Sequence, residues 1–155
     1  MKYDSKAERL YHEANPHLIK CSDNYPVFFL DDERKAFHAV PDFYDEATQT
    51  YIEFKARRLN NIKTQSEAQS KWSAQLPYIT IRNRNIKQLE LGWNHSVHKQ
   101  AAVQEQLKEK GYKMLVVFQK GTKLTPQAKN KMNKLNLDYK IENSADSALQ
   151  SEEQQ

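Results

Sequence analysis

Residues 40–56, VPDFYDEATQTYIEFKA, restrict the fold more than any other stretch. Side chains alternate across an extended strand, and TYIEFKA alternates throughout: Tyr51, Glu53 and Lys55 fall on one side, Ile52, Phe54 and Ala56 on the other. Upstream, KAFHAVPDFY has the same character, with Ala36, His38, Val40 and Asp42 expected on one face. The short connection DEATQ brings the next strand back beside it, and YPVFFL, closed by the polar turn DDER, supplies a third. The middle of the chain is therefore expected to be a three-stranded antiparallel meander.

Helices are expected on both sides of it in the chain. Ser5 can cap a first helix, with Glu8 three residues on completing a capping box, and Ala7, Leu10, Tyr11 and Ala14 recur at helical spacing before Asn15-Pro16 ends the run. From Ser96 to Lys110 a second helix is expected, with Gly111 as its left-handed cap. YKMLVVFQ follows as a covered inner strand, TPQAKNKMNKL as a helix with Thr125 capping and Pro126 at its first position, and LDYKI as a last strand. In the long segment 57–95, KTQSEAQSKWSAQL has a helical pattern and YITIRNRN a strand pattern, and the segment is set apart as an insertion. The fold class is thus α/β with a mixed sheet, one domain over residues 1–141 and a flexible acidic tail over 142–155.

Charge bears on the partner. The last fourteen residues hold four of the twenty acids and no Lys or Arg, so residues 1–141 carry a net +8. Such an excess favours a polyanion, whose neutralised phosphates release counterions, although lysine-rich chains are also basic merely for solubility. YPVFFL and MLVVF are far too short to span a bilayer, and MKYDSKAERL lacks the apolar segment of a secretory signal. The expectation is a cytoplasmic protein without a membrane partner, in which the single Cys21 makes no internal disulfide.

The chemistry is concentrated where the opening stretch folds back. Glu53 and Lys55 are roughly 6.6 Å apart along one strand face, and the hairpin returns Asp42 near Glu53. Two carboxylates beside an ammonium suit a hard cation such as Mg²⁺, with Mn²⁺ as the alternative, and the Phe54 carbonyl between them can add an oxygen. A metal there would offset charge developing on a phosphate and acidify a bound water, while Lys55 orients that water or stabilises the charge. The same residues would also make an ordinary Glu–Lys pair on a wet strand face.

At Pro41-Asp42 and Glu53-Phe54-Lys55 the chain resembles the PD-(D/E)xK nuclease superfamily. Within it, the chain is most similar to small phage-type Holliday junction resolvases and transposon end-cleaving nucleases, in which a glutamate on the first helix joins the site. The resemblance implies a restriction-endonuclease-like core, Asp42 and Glu53 as metal ligands, Lys55 as the catalytic lysine and Glu8 as an auxiliary acid, with Glu13 as its substitute. It covers residues 5–56 closely and 96–119 loosely. It also implies a Gln or Lys on the helix after the Glu-x-Lys triplet, for which Gln65, Gln69 and Lys71 are candidates, and a homodimer, since two DNA strands must be cut.

Arg57, Arg58, Lys63, Lys71, Arg82, Arg84 and Lys87, interleaved with Trp72, Tyr78 and Trp93, are candidates for contacts to DNA. His95 and His98, one turn apart, could supply two zinc ligands but not a closed site. The expected activity is Mg²⁺-dependent hydrolysis of phosphodiester bonds in branched DNA or at element ends. The alternative is a non-catalytic DNA-binding or assembly module on the same fold, with residues 57–95 or the acidic tail as a protein-binding surface.

Overall fold

The structure is a computed structural model that describes residues 3–21, 27–30, 36–63, 67 and 95–149. Its first helix, α1 (Lys6–Ala14), starts where the capping pattern predicts: Ser5 Oγ accepts the Glu8 N–H at 3.1 Å. It ends at Asn15, whose side-chain amide donates to the Tyr11 carbonyl at 2.9 Å. The face it buries differs from the expected stripe. Glu8 and Tyr11 are buried, while Leu10 is exposed. Glu8 and Tyr11 lie three residues apart on one helix face, and Leu10 lies about 100° away from Tyr11.

The main sheet has six strands in the order β1-β4-β5-β6-β7-β8. These are β1 (Ile19–Lys20), β4 (Phe43–Asp45), β5 (Thr50–Lys55), β6 (Lys113–Phe118), β7 (Tyr139–Ile141) and β8 (Ser147–Ala148), while β2 (Val27–Leu30) and β3 (Ala36–Ala39) form a separate two-stranded sheet. Pairing is antiparallel from β1 through β4 to β5, parallel from β5 through β6 to β7, and antiparallel again at β8.

The expected three-stranded meander is not what forms. KAFHAVPDFY divides at Val40-Pro41: its first half pairs with β2, and its second half becomes β4. Proline has no N–H to give a ladder and is confined to strand edges, ends and bulges, so the strand breaks there. The place of the missing third strand is taken by β1, whose two residues pair Ile19 with Tyr44 and Lys20 with Phe43.

The second half follows the sequence closely. Ser96 caps α2 (Val97–Glu109), which ends with Gly111 at φ +88° and with Gly111 and Tyr112 N–H groups donating to the Lys108 and Leu107 carbonyls. That bonding pattern is the Schellman close of a helix. Thr125 caps α3 (Pro126–Lys134), its hydroxyl accepting the Ala128 N–H at 3.1 Å. β6 is the covered inner strand anticipated, with Val116, Val117 and Phe118 fully buried. The described part of the acidic segment makes contacts with the sheet and with α3. Glu142 N–H donates to the Phe118 carbonyl, Asp146 meets Lys129 at 2.7 Å, and β8 pairs with β7.

Both faces of β5 are covered. Tyr51 packs in one cluster with Val97, Val103 and Leu107 of α2, and Ile52 and Phe54 pack in another with Tyr11 of α1. The Tyr11 and Phe54 rings stack with centroids 4.7 Å apart. Glu53 and Lys55 therefore share a face that α2 covers, rather than one open to water. Among the described residues no helix is long and apolar enough to cross a membrane.

Candidate active site

Pro41 ends the β4 ladder at the pair Phe43–Ile52, leaving the Phe54 N–H without a strand partner on that edge. Asp42 replaces the missing strand: its Oδ2 accepts the Phe54 N–H at 2.8 Å, and its backbone carbonyl accepts the Cys21 N–H at 2.9 Å. The N–H and C=O of one residue in an extended strand point to the same edge, so the Phe54 carbonyl faces the side where Asp42 lies.

Lys55 is 7% exposed, and its ammonium lies 3.7 Å from Glu53 Oε1 and 3.3 Å from His95 Nδ1. A lysine ammonium only donates, so Nδ1 accepts and the His95 ring carries its proton on Nε2. His95 is held where it can do this because the chain after β5 is tied to the start of α2. Asn60 N–H donates to the His95 carbonyl and Val97 N–H to the Asn60 carbonyl, both at 2.9 Å.

On the acidic side, the buried Glu8 reaches in from α1, and one carboxylate oxygen from each of Asp4, Glu8 and Asp42 lies within 4.8 Å of the others. Lys20 Nζ approaches Glu8 Oε1 to 2.6 Å. Asp4, Glu8 and Asp42 border one cavity of about 420 Å³, lined also by Glu53, Phe54 and Lys55, with Arg57, His95, Lys99 and Gln100 closing its basic end.

The electrostatics follow from burial and crowding. Burial holds the Asp42 carboxyl well above the ordinary carboxylate range, the charges of Glu53 and Glu8 add to this, and the Phe54 N–H and Lys55 pull the other way. Burial, with Lys55, Arg57 and Lys99 nearby, lowers His95 to about 4, so its ring is neutral at pH 7. Lys99 is lowered to about 8 by burial and by Lys55, against the opposing pull of Glu53 and Asp42. Burial would lower Lys20, but contact with Glu8 and the charges of Glu8, Asp42 and Asp4 outweigh it and hold its ammonium above the ordinary range. Burial pushes the Cys21 thiol up to about 12, so its backbone rather than its sulfur serves the site.

Asp42, Glu53, Lys55 and Glu8 are thus brought to one cavity, with Phe54 on its wall. Glu13 is exposed and pairs with Arg9 at 3.7 Å, which removes it as a substitute for Glu8. Arg57 lines the cavity; Arg58 and Lys63 are exposed outside it. Lys71, Arg82, Arg84 and Lys87 lie outside the described residues, as do Gln65, Gln69, Trp72, Tyr78 and Trp93, most of the expected 63–76 helix and the 78–85 strand. His95 and His98 do not converge on a common ligand position: His95 meets Lys55, and His98 Nε2 meets Asn61 Oδ1 at 3.1 Å.

The sequence did not single out Asp4, Lys20, Lys99 and Gln100, and it offered His95 only as a zinc ligand. The resemblance implies a Gln or Lys on the first helical pattern after the Glu-x-Lys triplet, whereas Lys99 and Gln100 reach the cavity from the first turn of α2. Asp4 precedes the Ser5 cap, outside α1, so helical spacing gave no signal for it. Comparison with protein-family models, curated proteins and solved structures gives no match to this chain.

Proposed function

We propose that the chain is a divalent-metal-dependent endodeoxyribonuclease of the PD-(D/E)xK kind, with a restriction-endonuclease-like core and branched DNA or element ends as substrate. The observation that carries this reading is the meeting of Asp42, Glu53, Lys55 and Glu8 in one cavity, with Lys55 buried between a carboxylate and a neutral imidazole. A solvated Glu–Lys pair on an outer strand face would not need a lysine 93% shielded from water, nor a second acid held in place by a strand N–H. The mixed sheet, with α1 and α2 on opposite faces of β5, is consistent with the fold reading.

The donor set fits a hard cation. It consists of oxygens only: one each from Asp4, Glu8 and Asp42 lie within 4.8 Å of one another, Glu53 and Phe54 border the same cavity, and burial and like charge make Asp42 a costly anion that an added cation would relieve. Asp42, Glu53 and the Phe54 carbonyl would hold Mg²⁺ or Mn²⁺, with Glu8 in support. When bound, the ion supplies Lewis-acid polarisation of the phosphodiester and acidifies a water. The residues of the chain do the rest. Lys55, fixed by Glu53 and His95, stabilises charge building on the phosphate oxygens. Arg57 and Lys99 make the opposite end of the cavity attractive to the substrate phosphate, and Arg58 and Lys63 extend the positive surface outward. Cutting both strands of a branched substrate calls for two such sites, hence a pair of copies.

The test incubates wild type, Asp42→Asn and Lys55→Ala with labelled four-way junction, flap and linear duplex, with and without Mg²⁺. Metal-dependent cutting by wild type alone is expected. Equal cutting by the Lys55→Ala variant would overturn the reading, and salt-sensitive binding with no cleavage in any divalent metal would favour the non-catalytic module.

A further inference from the structure

We propose that Lys20 is the resident cation of the acidic cluster, neutralising Glu8 so that the site takes a single divalent ion rather than two. The inference rests on the metal-site reading above and specifies how that site is occupied.

Glu8 is 3% exposed, and among the described residues no aligned hydrogen-bond donor reaches its Oε1. A carboxylate oxygen so far from water must be compensated by charge. Lys20 does this with its ammonium at 2.6 Å, its side chain only 13% exposed. The ammonium is also fixed from a second side, over the Phe43 ring at 5.3 Å from the centroid. The backbone sets this placement, because Lys20 pairs with Phe43 in the β1–β4 ladder and so projects beside that ring. Lys20 is therefore a built part of the site and not a surface lysine that has fallen against an acid.

Charge balance points the same way. Asp4, Glu8, Asp42 and Glu53 line the cavity and bring four negative charges. Lys20, Lys55, Arg57 and Lys99 return four, so each divalent ion adds net positive charge, and a second adds it to a site the first has already made positive. A second ion shared by Asp4, Glu8 and Asp42 would have to displace the ammonium from Glu8 Oε1 or sit beside it. In water two unit charges 4 Å apart repel by about 1 kcal/mol, and a buried site screens less. Lys20 thus excludes the second ion by occupancy and by repulsion, and it keeps the Glu8 carboxylate in position when no metal is bound.

The experiment counts ions. The full-length chain, stripped with chelator, is titrated with Mn²⁺ and the bound fraction is read by electron paramagnetic resonance, with circular dichroism as the check on folding. Wild type and Lys20→Arg are expected to take one ion per chain, and Lys20→Gln two. Lys20→Met keeps the aliphatic stem over Phe43, guards against loss through packing, and is also expected to take two. Two ions in wild type, or one in both neutral variants, overturns the role given to Lys20 while leaving the metal site standing. No ion in wild type and in every variant overturns the metal-site reading and this inference with it.

Discussion

Asp42 has two duties that substitution can separate. It accepts the Phe54 N–H where the β4 ladder stops, and it contributes a carboxylate to the cavity. Asn keeps a carbonyl oxygen for the N–H and removes the charge; Ala removes both. In metal-free buffer at pH 7, Asp42→Ala leaves a buried N–H without its acceptor, at a cost of about 1–3 kcal/mol. For a chain of 155 residues that lowers Tm by about 2–12 °C. Asp42→Asn has the opposite sign. The folded-state pKa of Asp42 is raised, so its contribution to stability is full below the unfolded carboxylate value and is lost as pH rises through the folded value. At pH 7 the metal-free wild type bears that loss and the Asn variant does not, so the Asn variant melts at or above wild type. Mg²⁺ at 100 times its Kd adds about 2.7 kcal/mol to wild type, or about 5–11 °C, and little to the Asn variant. Differential scanning fluorimetry with EDTA and then with Mg²⁺ measures all three. Asp42→Asn melting well below wild type in EDTA, or an equal Mg²⁺ shift in both, would refute the two-duty account.

Removing the Lys55 ammonium is expected to slow cleavage by about 10²–10³-fold with little change in DNA affinity, as a gel assay run beside anisotropy binding would show. Phe43 is fully buried and its ring meets those of Tyr11 and His12, so Phe43→Ala should cost about 3–5 kcal/mol in urea unfolding. Thr125→Ala removes the α3 cap, which is not part of the cavity lining, and should cost about 1 kcal/mol while leaving cleavage unchanged. His95 protonates near 6.5 in the unfolded chain and near 4 in the folded one, so it withdraws stability as pH falls across that window. His95→Gln should flatten that part of the stability profile; an unchanged profile, or a folded-state His95 titration near 6.5 by NMR, would contradict the neutral ring.

Local chemistry was legible in the sequence. Ser5, Ser96 and Thr125 start their helices and Gly111 closes one, because a cap needs only the residue and its next few neighbours. Glu53 and Lys55 share a face because strand alternation places them there without help from the rest of the chain. Pro41 carried a signal for a break that the reading of KAFHAVPDFY as one strand passed over, and its consequence was tertiary. Once the ladder stopped, the Phe54 N–H needed an acceptor and Asp42 supplied it. The covering of β5 on both faces, the arrival of His95 forty residues downstream of Lys55, and the placement of Lys20 against Glu8 were likewise decided only by the assembled fold. Periodicity says which side of an element avoids water, but not which distant element will cover it. That choice is made when surfaces far apart in sequence are buried together, and a charge shut in between them must then find its counter-charge wherever the packing has left one.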